Sequence, residues 1–194
     1  MSSKLLRGTF ILTLGTFVSK FLGLFYIIPF VMIIGADSED FLQLYNYGYV
    51  PYTIFISIAT GGLPLAVSKY IAKYNAVEEY AIGRKLFRSS VKLMLLSGTL
   101  AFLFLFLLAP LYVKLAIGDL NGGPFTEKDV INVIRTVSFA LILVPFLSII
   151  RGFFQGHQSM GPSSVSQVVE QIVRIAFLLT GAFLVVKVFG VAEY

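Results

Sequence analysis

The sequence predicts an all-α, polytopic membrane helical bundle of about five transmembrane helices. Three observations predict it. Long apolar runs follow one another almost without a break: residues 8–36 carry one charge, Lys20, and residues 41–68 and 93–113 carry none. The composition is 57% hydrophobic and only 13% charged, with mean hydropathy +0.88, where a soluble domain carries roughly 25% charged residues. The 19 Phe and 17 Gly suit helices packed against lipid and against one another. A bilayer is the solvent that fits: about 20 apolar residues cross a hydrocarbon core of about 30 Å.

The first span is expected at about 8–35. Lys4 and Arg7 precede it as in a signal peptide. The stretch is longer than an h-region of about 7–15 residues and ends without a small-x-small cleavage site, so it reads as a retained helix. The second span falls at about 45–68. After it, residues 69–89 place Tyr70, Ile71, Tyr74, Val77, Ala81, Leu86 and Phe87 at near-helical spacing among basic residues. This pattern predicts an amphipathic cytoplasmic connection at the headgroups, either an anchoring loop only or one that contacts anionic lipid or a regulator. The third span is expected at about 90–114. The fourth, about 130–151, opens behind Thr126-Glu127-Lys128-Asp129, a capping-box pattern, and is framed by Arg135 and Arg151. The fifth, about 163–188, contains Glu170 and Arg174.

Lysine and arginine asymmetry orients these spans. With a cytoplasmic N-terminus, the inside segments hold Lys4, Arg7, Lys69, Lys73, Arg84, Lys85, Arg88, Lys92 and Arg151. The outside segments hold Lys114, Lys128 and Lys187, and the 36–44 loop offers only Asp37, Glu39 and Asp40. The expectation is a multi-pass cell-membrane protein with its N-terminus inside. Five spans then leave Tyr194 outside, where another helix would begin, so the chain is expected to be incomplete.

Several function classes lack their residues. Net charge is +5, but clustering of the basic residues in one connection reads as a topology signal, not as a nucleic-acid surface. Cysteine is absent and His157 is the single histidine, so no disulfide, thiolate site or metal-ligand spacing is available. No nucleophile-elbow or phosphate-loop motif occurs. No cofactor is expected, and transport would draw on a gradient or on membrane potential.

The candidate chemistry sits in the spans. Lys20 lies roughly 18 Å into the first one, near the midplane. Its insertion cost of about 2.5–3.5 kcal/mol is outweighed by the Leu, Ile, Phe and Val residues around it, each contributing roughly −0.3 to −0.6 kcal/mol. A cavity-facing lysine is one reading; a snorkelling lysine, or one neutralising a carboxylate, is the other. Glu170 and Arg174 are spaced i, i+4 with the acid first, the favourable order on a helix. They form either a structural pair or part of a polar cavity wall. Gln167 and Gln171 add hydrogen-bonding capacity on the same turns. Helix breakers recur at depth: Pro29, Pro51, Gly61-Gly62-Leu63-Pro64, Pro110 and Pro145. Broken helices persist in membranes where freed groups are buried or line a cavity, a pattern that suits transporters.

The segment Arg151-Gly152-Phe153-Phe154-Gln155-Gly156-His157-Gln158-Ser159-Met160-Gly161-Pro162, continued by Ser166 through Arg174, resembles the MOP exporter superfamily. It is most similar to the SpoVB/MurJ-type branch of polysaccharide-biosynthesis proteins and lipid II flippases of Gram-positive bacteria. Gly8-Thr9-Phe10 through Ser19-Lys20-Phe21-Leu22-Gly23 resembles that family's first helix, and Gly61-Gly62-Leu63-Pro64 its second. The resemblance covers essentially the whole chain. It implies a MATE-like bundle of about fourteen helices in two lobes, of which this chain would supply five helices of the first. It also implies alternating access and a cationic cavity receiving the anionic head of a lipid-linked glycan, with Lys20 at a basic position of the first-helix motif. Where Gram-negative lipid II flippases carry a second basic residue on this helix, this chain has Tyr26.

The expected function is a flippase for a lipid-linked oligosaccharide or peptidoglycan precursor, with substrate-binding candidates Lys20, Arg174, Glu170 and Gln171. The expected partners are the lipid-linked glycan, membrane lipids and the transporter's remaining helices; nucleic acid is not among them. A MATE-type cation-coupled drug antiporter is the alternative, and it would favour buried acids. A membrane enzyme would need paired carboxylates or a His/Asp cluster, where the spans offer Glu170 alone.

Overall fold

The computed structural model describes residues 2–35, 38–118 and 125–184. Asp37, Lys187 and Tyr194 lie outside the described residues, as do the Lys4 side chain and the end of the expected fifth span. Among the described residues there is no strand. The helices are α1 (Ser2–Phe25), α2 (Ile27–Ile34), α3 (Ser38–Thr60), α4 (Leu63–Ala76), α5 (Tyr80–Tyr112), α6 (Glu127–Ser138), α7 (Ala140–Gly156) and α8 (Met160–Phe183), with a π-helical turn at Val113–Ile117. They make five segments long and apolar enough to cross a membrane: Leu6–Ile34, Glu39–Ala76, Tyr80–Ile117, Glu127–Gly156 and Met160–Phe183. The chain is an all-α, polytopic membrane protein.

The breaks inside these segments have local causes. Pro29 removes the donor that the Phe25 carbonyl would use, and α1 gives way to α2 at Tyr26. At Gly61 and Gly62 the backbone turns to φ +29° and +75°, the second a left-handed conformation that glycine adopts without steric cost. Pro64 follows, so the Thr60 carbonyl has no i+4 donor, and α3 stops at Thr60. The Ser97 hydroxyl donates to the nearby Ala59 carbonyl at 3.2 Å, closing that helix end. Pro51, Pro110 and Pro145 instead sit within continuous helices. Pro110 leaves the Phe106 carbonyl without its i+4 donor, and the Arg135 Nε–H donates to that oxygen at 3.4 Å. The Arg135 guanidinium also lies 5.2 Å from the centroid of the Phe106 ring, a cation–π distance. Ahead of α6, Thr126 N donates to Asp129 Oδ2 at 2.9 Å and Asp129 N to Thr126 Oγ1 at 3.4 Å. That is the capping box expected from the sequence.

Residues 69–89 fold as the end of α4, a turn at Val77–Glu79 with Glu78 at φ +61°, and the first turns of α5. Glu79 N donates to Tyr74 O at 2.9 Å across this turn. The basic residues of the connection therefore project from the facing ends of two long helices.

Two compact units form. One comprises Met1–Glu39 with Gln158–Tyr194, the other Asp40–His157. In the second, Gly152 lies against the Pro64 carbonyl so closely that an added Cβ would come within 2.5 Å of it. Gly156 is similarly close to the Ser68 carbonyl, at 2.8 Å, and Gly98 to the Leu141 carbonyl, at 2.5 Å. Leu141 is the residue whose carbonyl Pro145 deprives of its donor, so the freed oxygen meets a glycine instead of water. Between lipid-bathed helices no hydrophobic force acts, and close approach through small residues supplies the packing. Leu105, Ala109, Val113, Val130, Ile134 and Leu141 form one buried cluster, and Val67, Ile71, Met94 and Ile149 another. The pairings 64–152 and 68–156 make the second and fourth segments parallel. The pairings 98–141 and 106–135 make the third antiparallel to the fourth, as successive crossings require.

Candidate functional site

The candidate substrate-binding residues lie on α1 and α8, which pack within one unit. A seam of small residues brings these helices together. Gly8 faces Met160, Gly15 faces Ser164, and a Cβ on Gly15 would come within 2.9 Å of the Ser164 Cβ. Ser164 Oγ donates to the Ile11 carbonyl at 2.9 Å. Thr16 Oγ1 lies 2.9 Å from both the Leu12 carbonyl and Gln167 Oε1. Ser19 Oγ donates to the Gln167 carbonyl at 3.3 Å. Higher on α1, a Cβ on Gly23 would come within 3.0 Å of Gln171 Nε2. Contact positions rise together on both helices, so α1 and α8 run parallel. This is the geometry that first and fifth crossings must share.

The seam uses the polar residues of α8 unequally. Ser163 and Ser164 are buried and Gln167 and Gln171 half-buried, whereas Val165, Val169, Ile172, Val173 and Phe177 on the opposite face are exposed. Water is absent from a hydrocarbon core, so hydroxyls and amides there find partners in protein. Among the described residues no buried polar side-chain atom lacks a hydrogen-bond partner.

Lys20, Glu170 and Arg174 are exposed and lie outside this seam. Their flank follows from the register. At 100° per residue Lys20 is turned about 40° past Thr16, away from Gly15. On α8, Arg174 and Glu170 are turned back from Gln171 toward the side that Gln167 presents to Thr16. In a parallel pair these two rotations reach the same side, and the pairings 16–167 and 23–171 put Lys20 level with Glu170. The fold thus brings Lys20, Glu170 and Arg174 to one flank of the α1–α8 pair, while Gln171 packs over Gly23 inside it. Lys20 makes no hydrogen bond or ion pair among the described residues.

Sequence reasoning missed the pairing of Thr16 and Ser19 with Gln167. The signal for α1 was present, as Gly15, Ser19 and Gly23 repeat at the small-xxx-small spacing of close helix contacts. Its partner helix lies about 150 residues away in sequence, beyond any periodicity. Among the described residues no cluster of three His, Cys, Asp or Glu could hold a metal ion.

A family profile described as "Polysaccharide biosynthesis protein" matches residues 5–194. The chain is 52% identical over 190 residues to "Lipid II flippase MurJ" of Bacillus subtilis (strain 168), covering 98% of this chain and 34% of that protein. It is 32% identical over 181 residues to "Uncharacterized membrane protein YabM" of the same strain, covering 93% of this chain and 31% of that one. Stage V sporulation protein B, also from that strain, is 28% identical over 173 residues, covering 89% and 31%. The chain spans about a third of the length of these curated relatives. No solved structure matches it.

Proposed function

Because the chain belongs to the polysaccharide biosynthesis protein family, we propose that it supplies the first helices of a flippase for a lipid-linked glycan or peptidoglycan precursor. Further helices of the whole transporter complete a MATE-like pair of lobes that alternate in access, and the N-terminus lies in the cytoplasm. The protein is a carrier and not an enzyme.

The observation that carries this reading is Lys20. An ammonium deep in an apolar span is costly to keep dry and unpaired, and this one has no hydrogen-bond or ion-pair partner among the described residues. A water-filled chamber with an anionic visitor resolves the cost. A lipid-linked precursor brings a phosphate-bearing head that cannot cross hydrocarbon alone, while its tail remains in the bilayer. Lys20 attracts that head; Arg174, on the same flank, extends the cationic surface; Glu170 holds Arg174 in place. Gln171 keeps one amide within reach of the sugars from its place over Gly23.

Lys20→Ala in the whole protein should abolish complementation of a strain depleted of its lipid II flippase, at unchanged membrane abundance. Undiminished growth removes Lys20 from the mechanism. One observation favours the antiporter alternative: Glu170, an acid at membrane depth, lies on the same flank. Efflux of toxic cations that is lost in Glu170→Gln, with cell-wall synthesis intact on depletion, would decide for that alternative.

A further inference from the structure

The basic ends of α4 and α5 are not used by the flippase reading. There, within one unit, a groove of about 380 Å³ runs along α5. Leu63, Leu86 and Leu93 supply its apolar wall, and Lys85, Ser89 and Ser90 its polar edge. A second cleft adjoins it, lined by Ala81, Arg84, Lys85 and Arg88. Lys85 borders both, and Arg84, Lys85 and Arg88 are exposed. Ser57, Thr60, Thr136 and Ser148 return their hydroxyls to carbonyls of their own helices. Ser89 and Ser90 make no hydrogen bond among the described residues, so two donors stand open beside the cations.

The groove also sits at a defined depth. The uncharged stretch 93–113 is about 31 Å long at 1.5 Å per residue, which matches a hydrocarbon core of about 30 Å. Lys92 therefore marks the edge of that core. Leu93 lies just inside the boundary with Leu63 beside it in the groove wall, and Lys85, Arg88 and Ser89 lie at headgroup height. We propose that this groove is a binding site for an anionic phospholipid, with its phosphate held by Lys85, Arg88 and the Ser89–Ser90 hydroxyls and one acyl chain passing between Leu63 and Leu93. Cations and hydroxyls above, with apolar walls below, reproduce in order the parts of such a lipid. Its size admits a phosphate headgroup and the first methylenes of a chain. The site does not involve Lys20 and does not depend on what is transported.

The test measures lipid binding to the purified full chain in detergent by native mass spectrometry. The probes are dioleoyl phosphatidylglycerol, dioleoyl phosphatidylcholine and glycerol 1-phosphate. The anionic lipid should bind roughly tenfold more tightly than the zwitterionic one, and glycerol 1-phosphate should bind more weakly still. The double variant Lys85→Gln/Arg88→Gln should lose that preference, and Lys85→Arg/Arg88→Lys should keep it. The control Lys114→Gln/Lys128→Gln removes equal charge at the other end of the spans and should leave binding unchanged. Equal binding of the two lipids overturns the proposal, as does an equal loss in the control, which would reduce the effect to net charge. Glycerol 1-phosphate binding as tightly as the lipid would overturn the part given to the leucine wall.

Discussion

At the scale of single residues, polar groups answer one another across helices. Arg135 is the clearest case, since its guanidinium serves a carbonyl that Pro110 leaves without a donor. Arg135→Met should lower the thermal unfolding temperature in detergent, at a cost of about 1.5–3 kcal/mol for a hydrogen bond to a charged group. In a Pro110→Ala background the helix supplies its own donor, and the same substitution should cost markedly less. The coupling in that cycle should fall in the range of about 0.5–3 kcal/mol; additive effects would separate Arg135 from Pro110. Pro110 was legible in the sequence as a helix breaker. Arg135 was legible only as a charge framing a span, because no local pattern links position 106 to position 135.

At the scale of elements, close approach between helices decides which glycines tolerate a side chain. Gly15→Ala would drive a methyl into Ser164 and should destabilise the α1–α8 pair by about 1–3 kcal/mol, as overpacking does. Gly15→Ala with Ser164→Gly should recover most of that loss, with stability followed by thermal unfolding. At Gly181 an added methyl would meet nothing within 4 Å, so Gly181→Ala should be neutral or slightly stabilising. Comparable losses at positions 15 and 181 would contradict the seam. The elements themselves were largely readable from the sequence. Apolar length announced five crossing segments, and the Thr126–Asp129 capping box marked the start of α6. Less was readable about the kinks: Pro29 and Pro64 accompany breaks, whereas Pro51 and Pro145 stay within continuous helices. The difference arises from tertiary partners such as Gly98 beside the Leu141 carbonyl, and sequence periodicity carries no record of them.

At the scale of the whole molecule, alternation of direction ties the segments together. Parallel packing of α1 and α8 requires an even number of crossings before α8 begins on the side where α1 began. In a chain that contains no cysteine, Ser3→Cys and Ser159→Cys should therefore be labelled from the same side of the membrane, and Thr126→Cys from the other. The charge distribution predicts that the shared side is the cytoplasm. The membrane class was legible from composition, and the place of Lys20 midway along the first apolar segment from counting residues. Its company with Glu170 and Arg174 was not, because that flank exists only once two distant helices settle into register. Accessibility of position 20 in the whole protein probes the central claim most directly. Lys20→Cys should react with a membrane-impermeant maleimide in at least one of intact cells or inverted vesicles, while the outward-facing Phe17→Cys stays inert. A cysteine at position 20 as unreactive as the one at position 17 would place the lysine in lipid and contradict the account.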